Sequence, residues 1–164
     1  MSKAVLLAAL APVLDVLAGL SEGSPAQGRA TLEKLVPLSS LTTLKALVRQ
    51  GVAEGWLCDK VVPASATTAE VRFSRVLKSS APSAFSVDAV HMSGAGAGHT
   101  HPGGEFDLCF AVQGDPRFDG NPEGWTVYAP GTWHVPTVTG GVMDILYFLP
   151  GGQIRFEAAP STQS

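Results

Sequence analysis

Hydrophobic side chains recur along this chain in two rhythms, and the change near Trp56 divides it. Before that point Leu6, Leu10, Val13, Leu17 and Leu20 fall at three- and four-residue intervals, the stripe of one face of an amphipathic helix. Ser21 to Gly28 reads as a Ser/Gly/Pro linker. A short helix is predicted over Ala30 to Val36, stopped by Pro37. Ser40 is placed to cap a further helix with Leu41, Leu44, Leu47 and Val48 as its buried face and Gly51 at its end. From Trp56 onward the period is two, in short runs bounded mostly by Gly, Pro or Ser. Strands are predicted at Leu57–Val62, Glu70–Val76, Phe85–Met92, Phe106–Gln113, Trp125–Ala129, Met143–Leu149 and Gln153–Glu157. Strands at this spacing with no helices between them indicate a sandwich or barrel. With no internal repeat in sight, the chain reads as one structural unit: a helical N-terminal extension, 1–55, on a β-barrel, 56–164.

Composition narrows the picture. At 164 residues and 45% hydrophobic, the chain is long and apolar enough for one core and is not disordered. Charged residues make up 15%, against roughly 25% in an ordinary domain. A surface so sparsely charged suggests cover by a second copy, and a homodimer is expected. The net charge is −3 with no run of Lys and Arg. One helix following another invites a helix-turn-helix reading, but Arg29, Lys34, Lys45 and Arg49 are too few and too scattered to neutralise phosphates, so nucleic acid is not an expected partner. Cys58 and Cys109 form neither a CxxC pair nor a disulfide framework, which fits a reducing cytoplasm. Ala4 to Leu20 has the Ala/Leu richness of a secretory signal, yet Pro12 and Asp15 interrupt it and no small-x-small cleavage site follows. The run is also too short for a membrane span. A cytoplasmic location is expected.

The chemistry concentrates in the histidines. His99 and His101 are two apart, so on an extended chain their side chains share a face. Glu105 follows Pro102-Gly103-Gly104 and, with near-extended geometry, joins that face. His134 comes just after a Pro130-Gly131 turn, where a returning strand brings it to the same pocket. Three neutral imidazoles and a carboxylate suit one divalent transition metal: Mn, Fe, Co, Ni, Cu or Zn. His-x-His alone is a weak signal, and histidines at strand ends also read as ordinary polar loop residues. The later Glu and His carry the argument.

These phrases resemble the two motifs of the cupin superfamily. His99-Thr100-His101-Pro102-Gly103-Gly104-Glu105 matches the heart of the first, and Gly124 through Pro130-Gly131 to His134 most of the second. The departures are Ser93 where a Gly is usual, eight residues between Glu105 and Gly114, a missing residue between Pro130 and Gly131, and Val138 in place of a terminal Asn. The resemblance implies a mainly β, single-domain cupin (a double-stranded β-helix, or jelly-roll barrel) whose metal is held by His99, His101, Glu105 and His134.

A narrower resemblance runs from His101 to Phe156. His101-Pro102-Gly103-Gly104-Glu105, Gly114-Asp115-Pro116-Arg117-Phe118-Asp119-Gly120, Tyr128-Ala129-Pro130-Gly131, His134-Val135-Pro136-Thr137-Val138 and Tyr147-Phe148-Leu149-Pro150-Gly151-Gly152 are similar in order and wording to the 4-hydroxylaminobenzoate lyase family. That resemblance implies conversion of 4-hydroxylaminobenzoate, a small aromatic acid, to 3,4-dihydroxybenzoate and ammonia. For such a substrate, Arg72 and Arg117 are candidates to bind the carboxylate. His91 is a candidate proton shuttle, and Glu123 and Tyr128 candidate acid–base groups. Each has a plainer reading as a structural or surface residue. Asp107 and Cys109 share strand parity with Glu105 and should line the barrel interior, where a buried Asp needs a partner. Trp125, Trp133, Phe110 and Phe148 offer either an aromatic wall or plain core. Cupins host many chemistries. A metal-dependent dioxygenase or isomerase of a small organic acid and a non-catalytic binding cupin are the alternatives.

Overall fold

The computed structural model describes residues 2–20, 24–62, 70–81 and 83–161. Three helices come first: α1 (Lys3–Ala18), α2 (Pro25–Leu35) and, after a 3₁₀ turn at Leu38–Ser40, α3 (Thr42–Ala53). Nine strands follow: β1 (Lys60–Val61), β2 (Val71–Leu77), β3 (Phe85–Ala95), β4 (His99–His101), β5 (Glu105–Phe118), β6 (Gly124–Tyr128), β7 (Thr132–His134), β8 (Thr137–Pro150) and β9 (Arg155–Phe156). They form an antiparallel six-stranded sheet, β1-β2-β3-β8-β5-β6, and an antiparallel three-stranded sheet, β7-β4-β9. No helix among the described residues is long and apolar enough to cross a membrane.

The helical stripe is where the sequence places it, with Leu6, Leu10, Val13 and Leu17 buried on α1. The expected linker is shorter. Residues 21–23 lie outside the described residues, and α2 already begins at Pro25. Ser24 accepts a hydrogen bond from the Gln27 amide while the Gln27 side chain accepts one from the Ser24 amide, and Pro25 needs no donor there. The two helix-boundary signals further on are also corrected. The Ser40 hydroxyl donates to Pro37 O instead of capping α3. Gly51 lies inside α3, where a Cβ would stand 2.8 Å from the Trp56 ring, so this glycine admits the tryptophan and does not end the helix.

Strand alternation gives the six-stranded sheet two unlike faces. One carries Leu108 and Phe110 of β5, Leu146 and Phe148 of β8, and Trp125 of β6 into a common hydrophobic cluster with α1, α2 and α3. The Trp125 indole N–H donates to Val36 O at 3.1 Å, tying the end of α2 to β6. The other face carries Val90 and Met92, Cys109, Ile145 and Tyr147 toward the small sheet. The barrel interior lies between the two sheets. Phe110, Phe148 and Trp125 therefore build the helix-facing core and are no wall for a ligand inside the barrel. β1 reaches only Lys60–Val61, because Cys58 turns the chain at φ 53.

Candidate metal centre

The small sheet exists to pair two histidines. β4 and β7 run antiparallel with His99 opposite His134 and His101 opposite Thr132. His99 and His101 project from one face of β4, as their spacing requires. Glu105 arrives differently from the expected extended run. The Gly104 amide donates to His101 O at 3.2 Å, and Gly104 adopts φ 84, where a Cβ would stand 2.9 Å from Tyr128 O. The chain thus turns out of the small sheet and starts β5 in the large one, and Glu105 faces the histidines from across the barrel.

One ligand atom from each of His99, His101, Glu105 and His134 lies within 4.8 Å of all the others, and these four residues could hold a metal ion. His99, His101 and Glu105 are buried, His134 partly so. The Nε2 atoms of His99 and His134 approach to 3.2 Å. His101 Nδ1 stands 2.7 Å from Glu105 Oε2, but neither ring nitrogen of His101 and neither oxygen of Glu105 has a hydrogen-bond partner of proper geometry. Four buried polar atoms without aligned partners, converging with two imidazoles, fit a cation that would satisfy them together.

The neighbours of these residues set their orientation. His99 Nδ1 donates to Ala97 O at 2.9 Å, leaving Nε2 as the lone-pair nitrogen. Burial above all, against the opposing charge of Glu105, pushes the His99 imidazole down to about 4, so it is neutral at pH 7 as a ligand must be. His134 Nδ1 donates to Asp119 Oδ2 at 2.6 Å. Asp119, at φ 47, also accepts from the Tyr128 hydroxyl and, through Oδ1, from the Thr137 amide at 2.8 Å. Burial alone would raise its carboxyl, but the hydrogen bonds from His134 and Tyr128 and the charge of His134 hold it below the usual carboxylate range. Nothing in the sequence reading singled out Asp119. Its signal was an Asp-Gly pair at a tight reversal, which reads first as turn chemistry.

Among the expected acid–base groups, Tyr128 is the one beside the cluster. Its ring stacks on His101 at 5.4 Å and lies 4.3 Å from His134, and burial, then Asp119, raise its phenol. Asp107 and Cys109 line the interior as parity predicts. Burial and then the charge of Glu105 raise the Asp107 carboxyl well above the usual carboxylate range.

The other four are elsewhere. Arg72 and His91, paired in register, project from the helix-facing side, since they alternate with Phe73 and Arg75 and with Val90 and Met92 of the interior. His91 Nδ1 binds Asp144 Oδ1 at 2.6 Å, and Arg72 lies 3.2 Å from Glu70. The buried Cys58 adjoins this group, its thiol pushed up to about 12 by burial and then Asp144. Arg117 is exposed on the far end of β5, 4.0 Å from Asp115. Glu123 accepts from Lys45 of α3 and from the Ala111 amide at 3.1 Å, which makes it a brace between layers.

Beside His99, between the sheets, is a cavity of about 410 Å³ walled by apolar side chains such as Val90, Met92, Ile154 and Phe156. A wider recess of about 570 Å³, lined partly by Tyr128, His134 and Arg29, opens on the other side.

Known proteins bear on this geometry. Residues 35–156 match the family described as PnbB, 4-hydroxylaminobenzoate lyase. A 4-hydroxylaminobenzoate lyase of Pseudomonas putida is 30% identical over 131 residues, covering 70% of this chain and 72% of that protein. One from Nocardioides sp. (strain LMS-CY) is 30% identical over 127 residues, covering 71% and 72%. An RmlC-like cupin protein of Ralstonia eutropha JMP134 overlaps at TM-score 0.40 and 14% identity, over 49% of this chain and 56% of that one. The structure is mainly β with a helical N-terminal segment, and the chain belongs to the 4-hydroxylaminobenzoate lyase family.

Proposed function

We propose that the protein is a lyase that takes 4-hydroxylaminobenzoate and water to 3,4-dihydroxybenzoate and ammonia, with a divalent transition metal on His99, His101, Glu105 and His134. One observation carries this reading. The four converging side chains and every lining residue of the apolar cavity beside them fall inside the span matched by the lyase family.

A metal held there would act as a Lewis acid toward oxygen, easing departure of hydroxide or lowering the pKa of bound water. The protein's own groups do the rest. The cavity walls enclose the aromatic ring and exclude bulk water. The Asp119 carboxylate fixes His134 with Nε2 inward, and Tyr128, hydrogen-bonded to the same carboxylate, keeps it in place. In this reading the helices of 1–55 and the barrel of 56–164 act as one structural unit, joined by their shared core.

The test is product analysis. Purified protein loaded with Mn, Fe or Zn and given 4-hydroxylaminobenzoate under argon should release ammonia and 3,4-dihydroxybenzoate in equal amounts, and chelation should abolish both. Turnover that requires oxygen would replace the lyase with a dioxygenase. Binding without product would leave a non-catalytic cupin.

A further inference from the structure

The cavity beside His99 is lined mostly by apolar side chains, and apart from His99 its charged lining is Asp88 and Arg75, the single Lys or Arg among the described lining residues. Resting on the lyase reading, we propose that Arg75 is the residue that recognises the substrate carboxylate and so restricts the site to ring acids bearing the acid group away from the reacting nitrogen.

Register places Arg75 across from the centre. Arg75 pairs with Asp88, Asp88 with Tyr147, and Tyr147 with Asp107, one row over β2, β3, β8 and β5 on the interior face. Three strand spacings put the Arg75 backbone about 14 Å from that of Asp107. An arginine side chain and a para-substituted ring together fill that span. Glu105 begins the same strand as Asp107, so a ring with its nitrogen at the His/Glu cluster extends its para substituent toward Arg75.

The guanidinium is prepared for this. Nε donates to Asp88 Oδ1 and Nη2 to Asp88 Oδ2 at 3.2 Å, so Asp88 takes the side edge of the fork. A guanidinium has five N–H groups, and the end-on edge, Nη1 with the second hydrogen of Nη2, is the one Asp88 does not hold. Held flat by one carboxylate, Arg75 can present a planar pair of donors to another. Arg29, in the recess on the far side of the cluster, is differently placed. Its Nε is held by Glu33 and its Nη1 by Asn121 at 2.8 Å each, so its end-on edge is in use. Of the two arginines that the sequence offers for this role, Arg72 is three residues away and of opposite parity, which sends it to the other face, and Arg117 is exposed beside Asp115.

The test compares two substrates in each variant: 4-hydroxylaminobenzoate and phenylhydroxylamine, which has the reacting group without the acid. The ratio of their kcat/KM values does not depend on the folded or metal-loaded fraction. Arg75→Leu should lower the ratio about 100-fold, mainly through KM for the acid, Arg75→Lys should restore part of it, and Arg72→Leu should leave it unchanged. An unaltered ratio in Arg75→Leu would overturn the assignment. Should the wild type turn over neither compound, the lyase reading fails separately, and titration calorimetry with 4-aminobenzoate decides the Arg75 question. Binding at least 10-fold weaker in Arg75→Leu than in wild type sustains it. Equal binding, or none in either, rejects it.

Discussion

The two faces of the six-stranded sheet each hold a histidine against a carboxylate, and they differ in what is left over. On the helix-facing side His91 and Asp144 satisfy one another at 2.6 Å and pack near Cys58, and the pair is complete. On the interior side His101 and Glu105 are as close, at 2.7 Å, yet their nitrogens and oxygens have no aligned partners and face two more imidazoles. The first arrangement is what a histidine–carboxylate pair looks like when it ties two neighbouring strands of one sheet together. The second is what a site looks like when its last partner comes from outside. Residue type alone does not separate them. Strand parity and unmet hydrogen bonds do.

Four measurements bear on this contrast. The largest effect belongs to the interior. His101→Ala should cost 100-fold or more in metal affinity, leaving little metal after dialysis by elemental analysis, whereas His91→Ala should keep full occupancy. Equal retention in both variants would erase the distinction between the faces. The helix-facing pair should show its weight in stability instead: His91→Ala leaves Asp144 buried and unpaired and should cost about 2–3 kcal/mol in denaturant unfolding. Asp119→Asn weakens the hold on His134 without touching a ligand atom and should lower metal affinity about 10-fold to 100-fold, read by competition with a chromogenic chelator. Smallest is Trp125→Phe, which removes the indole hydrogen bond to Val36 and should cost about 1 kcal/mol with metal content unchanged.

Most of the fold was legible because its elements are long enough to show a period. α1 and the stretches 71–76, 85–92, 106–113 and 143–149 of four strands follow from periodicity and short apolar runs, while the structure carries β5 on to Phe118 and begins β8 at Thr137. The shortest elements were not. β4 and β7 have three residues each, too few for any rhythm, and they carry the three converging histidines. The four convergent residues were nonetheless read, because His-x-His and the later Glu and His are signals of type and spacing rather than of periodicity. Glu105 was assigned to the right place by the wrong path, since the turn at Gly104 hands it to the opposite sheet. Two of the remaining acid–base and carboxylate-binding candidates lie away from the cluster for one reason. Arg72 and His91 were chosen by residue type before their parity was fixed, and one step along a strand exchanges the interior for the helix-facing side.

Asp119 has a consequence beyond His134. Its amide donates to Thr137 O at 2.9 Å while its Oδ1 accepts from the Thr137 amide, and Thr137 opens β8 opposite Ala95 at the end of β3. Any pull on the ring is therefore relayed through one carboxylate to a main-chain proton. The Thr137 resonance in an ¹⁵N spectrum becomes a built-in gauge of occupancy, one that needs no substrate and no colour.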